Sequence, residues 1–584
     1  MDDEIKEVDL LRQPAKLLEL ERRDPRRAEA IWHGLSREQR LRAILAAPPL
    51  ERERLITLAR DSAELVRALA PDEFAATALA LGPADAGTLL ALCSDEQLTY
   101  LLDLTGWVKE RFAPSRYEVW LPLLLEAGSR RLGRWLFSTD REVLALLFAH
   151  WLRVVKWVAS QDEQEPPDDL PSFTLDGVYY IAFRDEKGAG FVAQVLVLLQ
   201  SERPELYRRV MEAMLWEPAS LLAEDALRWR TGRMLDHGFP DRLDALQLWA
   251  RPAPGEADWE NLPPKAELGF PAQTPPRSDA AVSALPSREL LPTLAGELDG
   301  LAADALRAEL AYVANCGVVA LDADPADPED VERAARESLG LVNLGLELLS
   351  GGDQARARAV LARMPLAALA RQGAQAIREL NQAAWRLVRE DWLKDIPTGL
   401  HILDEPLDRW LAGLIFPRPR CYDPTLGPMR EYRAFLSRAD LEAARRHLER
   451  ARFWGRLLFE LLGIPREDVV SILREPVWPR DPTDIKLTHL IGTWLARRAL
   501  GRPGLAPIAR QELGAAIAAI QEGLAGPLGR ELSQSCQALP QPGEAETARV
   551  LLQGVLNRLR EELGRLDPKL PIEPAFVGGL VIER

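Results

Sequence analysis

The chain has 584 residues, of which 47% are hydrophobic and 28% charged, with 73 basic against 89 acidic side chains for a net charge of -16. That balance excludes a disordered chain, and the length exceeds what one hydrophobic core serves, so roughly two to four domains are expected. A surface of this sign repels phosphate backbones, which argues against nucleic acid as a partner.

The four cysteines, Cys93, Cys316, Cys421 and Cys536, lie far apart without a C-x-x-C pair. They form neither a disulfide framework nor a zinc-ligand spacing, as expected in a reducing cytoplasm. The opening MDDEIKEVDLLRQPAKLLELERRDP is charged throughout and lacks the apolar core of a signal peptide. The most apolar long run, VLALLFAHWLRVVKWVA, is interrupted by His150, Arg153 and Lys156. It falls short of the roughly 18 uninterrupted apolar residues of a membrane span and reads as a buried amphipathic helix, with His150 a satisfied core histidine.

Leu58, Leu69, Leu81, Leu92 and Leu104 recur at steps of 11, 12, 11 and 12. Three of the units they open read LAPDEFAATALALG, LGPADAGTLLALCS and LCSDEQLTYLLDLT. Pro71, Pro83 and Ser94 stand two positions after their leucines, and Glu73, Asp85 and Glu96 follow in the first turn. Proline at the first helical position and carboxylates at the positive end of the dipole start helices. One such short helix cannot bury its apolar face alone, so successive units must stack.

Residues 35–127 resemble the short-helix superhelical N-terminal domain of MgtE-type magnesium transporters, whose repeats also run leucine, proline, acid and a leucine-rich helix. That resemblance implies an interaction-making, regulatory piece and does not imply transport. The whole chain, with its GFPD corner, also resembles a bacterial family of unknown function, the one numbered six-one-seven-eight, which implies no activity.

Farther along, residues 160–173 read as a polar connector, and FTLDGVYYIAF reads as a hairpin with a type I′ turn at Asp176-Gly177. Helical pattern resumes and then vanishes between 251 and 289, where eight prolines mark a linker or an extended surface segment. Asp327-Pro328-Glu329-Asp330 starts another helix, and the acidic run containing it lacks the glycine and bidentate glutamate of a calcium loop. An irregular stretch spans 401–435, after which Ser437 and Asp440 form a capping-box pattern. Helices fit 484–500, 507–522 and 544–564. The expected fold is mainly α: a multi-domain helical array with short-helix superhelical repeats at the N-terminus, a helical bundle in the C-terminal half and one small β-hairpin. Its expected pieces are 1–159, 174–250, the linker 251–289, 290–400 and 401–584.

Two stretches are candidate sites. In RWRTGRMLDHGFPD, Arg230, Arg233 and His237 fall at i, i+3 and i+7 on one helix face, with Arg233 in reach of Asp236. Gly238 stands where a left-handed C′ residue belongs, Phe239 supplies its apolar contact, Pro240 forbids continuation and Asp241 caps the next helix, so a helix-to-helix corner accounts for the motif. In FPRPRCYDPTLGPMREYR, Arg418, Arg420 and Tyr422 lie in a proline-stiffened loop of the composition that holds partners; the structural alternative is a crossing segment whose arginines meet carboxylates. Neither phosphate cradle nor nucleophile elbow is present, and the six histidines include no pair at i, i+4, so no cofactor, metal site or catalytic residue is assigned. The expected function is a cytoplasmic helical-repeat scaffold or adaptor binding another protein. The alternatives are an enzyme whose site is assembled across domains and a divalent-cation-responsive regulator.

Overall fold

The computed structural model describes residues 14–158, 167–265, 285–297, 300–525 and 542–584, apart from the side chains of 300–304, 524, 525 and 542. The fold is mainly α. The chain divides into two compact units: residues 1–248, 265–288 and 292–339 form one, and 249–264, 289–291 and 340–584 the other.

The first unit opens with eight helices of 6–11 residues: α1 (Ala15–Arg23), α2 (Pro25–Gly34), α3 (Arg37–Ala46), α4 (Pro49–Thr57), α5 (Ser62–Ala68), α6 (Pro71–Leu81), α7 (Gly87–Leu92) and α8 (Asp95–Thr105). Pro71 occupies the first turn of α6, and Ser94 caps α8 in a capping box with Gln97. Pro83, by contrast, lies in turns ahead of α7, which starts only at Gly87. Next come α9 (Pro114–Glu126), α10 (Ser129–Ser138), α11 (Arg141–Trp151), α12 (Ala189–Glu202) and α13 (Pro204–Trp216). From α3 to α11 each helix packs on the second helix after it, the last pair being α11 on α13. Helices this short bury leucines on two sides, which is why they stack. The spacing also sets the charges: Arg40 bonds Asp61 and Arg52 bonds Glu73, each across 21 residues.

Four expectations need correction. Between α8 and α9 the chain forms a two-residue ladder, β1 (Trp107–Val108) with β2 (Arg111–Phe112), where unbroken helices are expected. The apolar run after Val143 is not one helix: α11 ends at Trp151 and passes directly into β3 (Leu152–Lys156). Five to eight apolar residues fit a strand as well as a helix, and Val154 and Val155 favour the strand. The expected hairpin forms as β4 (Phe173–Thr174) and β5 (Tyr179–Phe183), and β5 also pairs with β3. Its turn is a longer loop and not a two-residue type I′ turn: Asp176 accepts from Val178 N and Tyr179 N, and only Gly177 takes positive φ. His150 is half exposed beside Glu118, 3.3 Å away, and is not a core residue.

The unit continues with α14 (Ala219–Asp236) and α15 (Arg242–Leu246). Helix α14 lies on α8, α11 and β2. After α16 (Leu290–Gly296), α17 (Gly300–Ala320) packs on α15, and α18 (Pro328–Ser350) begins with Asp327 accepting Glu329 N. The acidic run before α18 is neutralised by cations: Asp322 binds Arg242 and Lys109, and Asp324 binds Arg116.

In the second unit, α19 (Gln354–Leu361) and α20 (Leu366–Arg389) lead to α21 (Leu407–Ile415), β6 (Cys421–Tyr422), β7 (Tyr432–Arg433) and α22 (Arg438–Arg456). Residues 401–435 are thus less irregular than expected, since they hold a helix and a strand pair. Helices α20, α21 and α22 pack together. Gly345 and Gly373 let α18 and α20 meet backbone to backbone, because a Cβ there would lie 2.0 Å from Leu369 O and 2.2 Å from Leu341 O. Ser437 makes no capping bond; Asp440 accepts Leu436 N instead. Then follow α23 (Arg466–Ile472), β8 (Val477–Trp478), α24 (Leu487–Ala499), α25 (Leu513–Ala525), α26 (Pro542–Leu563) and β9 (Ile582–Glu583), which pairs with β8. Helices α24, α25 and α26 make a second three-helix cluster. Residues 249–264 belong to this unit, held where Arg371 binds Glu256 and Arg378 donates to Trp249 O. The proline-rich stretch 266–284 lies outside the described residues.

Candidate functional site

The corner after α14 is built as its residues dictate. Gly238 takes φ +79°, Gly238 N donates to Leu235 O at 2.9 Å, and Phe239 N donates to Met234 O at 2.9 Å. This crossed pair is a Schellman motif, and the two residues whose apolar contact such a motif favours, Phe239 and Met234, are both buried. Asp241 then caps α15 by accepting Asp244 N at 2.9 Å. His237 is the C-cap residue, and its ring meets Tyr100 edge-on at 4.6 Å. Asp236 is exposed.

The two arginines of this motif reach inward from α14. Arg233 does not turn to Asp236 as expected. Its Nε and Nη2 grip the two oxygens of Asp103 at 2.6 and 3.0 Å, and its Nη1 holds Asp140 Oδ2 at 2.7 Å. Arg230 Nε donates to the Asp103 carbonyl at 2.8 Å, and its guanidinium lies 5.3 Å from the centre of the Trp107 ring. Burial pushes the Asp103 carboxyl up, while Arg233 pulls it back; burial likewise pulls the Arg230 guanidinium down. A cavity of only 30 Å³ adjoins Asp103, Tyr117, Asp140 and Arg233, which is room for water and not for a substrate. The cluster locks α14 to α8, with its charged groups engaged in one another.

The 416–433 loop is organised by Arg433, a residue outside both sets of sequence candidates. It donates from Nε to Asp423 Oδ2 at 2.7 Å and from Nη1 and Nη2 to Asp440 at 2.8 Å each. Arg420 N closes on Gly413 O at 2.8 Å, which draws the loop against α21. Tyr422 pairs with Tyr432 across the β6–β7 ladder and stands edge-on to Trp410, whose indole stacks on His447 at 4.7 Å. Burial lowers the His447 imidazole to about 4 and raises the Cys421 thiol to about 12, so at neutral pH neither carries charge. Arg433 is an arginine of this segment that meets carboxylates. The structure brings Arg230, Arg233 and His237 onto one helix end and Arg420 and Tyr422 into another cluster, in a different unit.

What the locked helix leaves outward is its other face. Leu222, Ala226 and Met234 are buried, whereas Leu221, Trp229 and Leu235 are 46%, 50% and 57% exposed. At 3.6 residues per turn these three fall within an arc of about 120°. Leu243 and Leu246 of α15 and Trp216 at the end of α13 are exposed as well.

Among the described residues no group of three or more His, Cys, Asp or Glu could hold a metal ion, and no helix is long and apolar enough to cross a membrane. The architecture is that of a mainly α protein of stacked short helices. The chain belongs to the family of unknown function DUF6178, whose model matches residues 29–583. No curated protein and no solved structure matches it, so the MgtE-type resemblance of residues 35–127 finds no counterpart there.

Proposed function

We propose that the protein is a cytoplasmic helical scaffold or adaptor that binds another protein through the outer face of α14. One observation carries this reading: Leu221, Trp229 and Leu235 stand exposed on a helix whose inner face is fixed by part-buried ion pairs. Exposed apolar groups on a rigid support lose little entropy when a partner covers them, and a tryptophan is the residue type most often decisive at an interface. The alternating packing of α3 to α13 supports treating them as a superhelical repeat array, the kind of domain whose role in MgtE-type transporters is regulatory. The free, buried Cys93, Cys316 and Cys421 agree with a reducing compartment.

The test is photo-crosslinking in cells of the source organism, with a benzophenone amino acid at Trp229, at Leu235 and, as control, at exposed Glu205. One protein captured at the first two positions and not at the third, and lost from affinity purification of a Trp229→Ala/Leu235→Ser double variant, supports the reading. A double variant that retains every partner of the parent chain refutes it.

A further inference from the structure

The second unit contains a cleft that neither candidate stretch touches. It measures about 450 Å³, within the range of small-molecule sites, and lies where α22 ends. There the helix does not stop but widens: residues Leu457–Leu461 form a π turn, in which Leu462 N reaches back five residues to Leu457 O at 2.9 Å. Single π turns are frequent at functional sites, because the wider turn displaces side chains from the regular helical stripe.

Trp392 lies beneath the cleft and is only 2% exposed. It seats against Gly455, where a Cβ would lie 2.4 Å from its Cδ1, and its Nε1 donates to Ala451 O at 2.8 Å. Phe459, carried on the π turn, stands edge-on to it at 6.2 Å and has the Arg466 guanidinium over its ring at 4.8 Å. Arg452 and Arg456 line the cleft, together with the carboxylates of Asp391, Glu449 and Glu460, the last 3.6 Å from Arg456. Arg456 is committed to Glu544, whereas Arg452 has only a long bond to Ala383 O, 3.3 Å, and no carboxylate partner among the described residues. Arg452 therefore keeps most of its five donors for something else. The half-buried Phe459 ring beside an uncommitted guanidinium matches a ring that carries an anionic group: aromatic and cation–π contact take the ring, and the planar donor fork takes the anion.

We infer that the cleft between Trp392, Phe459 and Arg452 binds an organic anion built on an aromatic ring. Isothermal titration of the full-length protein with phenyl phosphate tests this, with inorganic phosphate and phenol titrated separately at matched ionic strength. Phenyl phosphate is expected to bind one to one, about tenfold or more tighter than either half alone. Arg452→Met and Phe459→Leu should each weaken it by about tenfold while leaving the melting temperature within about 2 °C, because Arg452 is exposed and Leu keeps the apolar volume of the turn. Equal affinity for inorganic phosphate overturns the inference, since it would show only unspecific anion binding. So does absence of heat with phenyl phosphate at millimolar concentration, or unaltered binding in both variants.

Discussion

Two arginines, one in each unit, do the same geometric job under opposite conditions. Arg233 lies between Asp103 and Asp140, and Arg433 between Asp423 and Asp440. Around Arg233 the partners are 130 and 93 residues away; around Arg433 they are 10 and 7 away. The Asp103 side chain is only 6% exposed and takes its hydrogen bonds from Arg233, whereas Asp423 also accepts Thr425 N and Asp440 also accepts Leu436 N. A long-range pair joins elements and makes each partner depend on the other. A local pair shapes a loop whose carboxylates keep other donors.

Removing the guanidinium should separate the two cases. Arg233→Met leaves the buried Asp103 carboxylate without those bonds, and breaking a buried pair from one side costs about 3–5 kcal/mol, which urea midpoints will read as the largest loss of any change at these sites. Arg433→Met should cost less, about 1–3 kcal/mol, because both of its aspartates retain backbone donors. Equal losses would mean that sequence separation and burial do not govern the difference.

Acid sharpens the contrast. Thr425 and Arg433 hold the Asp423 carboxyl below its ordinary value, so its stabilisation is fully present above the unfolded-state value of about 3.9 and is lost as pH falls through the lowered folded-state value. Asp423→Asn should therefore destabilise at pH 7 and converge with the parent protein towards about pH 2. Burial pushes Asp103 the other way, and no such acid loss is expected from it. A gap for Asp423→Asn that stays constant with pH would remove Arg433 from the account of its lowered value.

The smallest effects belong to the corner itself. Gly238→Ala forces a Cβ onto φ +79° and should cost about 1 kcal/mol. His237→Ala gives up one edge-on ring contact with Tyr100 and should cost less than about 1 kcal/mol in the same urea experiment. An order reversed between these two would make the histidine, and not the glycine, the element that sets the corner.

The corner is legible in the sequence because all its determinants are local: Gly238, Phe239, Pro240 and Asp241 each act within two helical turns. The partners of Arg233 are not, since 89 carboxylates compete and only folding selects Asp103 and Asp140. The leucine period announces α5 to α8, yet Pro83 imitates a helix start that occurs four residues later. Leu152–Lys156 hides inside an apolar run whose strand character depends on β5, about 25 residues farther on. Arg433 sits in plain view among other arginines. A signal for it does exist, because Asp423 and Asp440 bracket it closely enough for one side chain to reach both.

The alternating contacts of α3 to α13 also bear on how quickly the chain finds its fold. Pairs such as Arg40–Asp61 and Arg52–Glu73 close loops of 21 residues, so the array can nucleate at any point and grow helix by helix. Arg233 meeting Asp103 closes a loop of 130 residues. By chain statistics that closure costs about 1.6 kcal/mol more in entropy than one of the short ones. By this estimate the Arg233–Asp103 contact of α14 is a costlier closure than those of the short pairs. In the folded protein this helix joins α8 and α11, and it carries Trp229 and Leu235 at the surface.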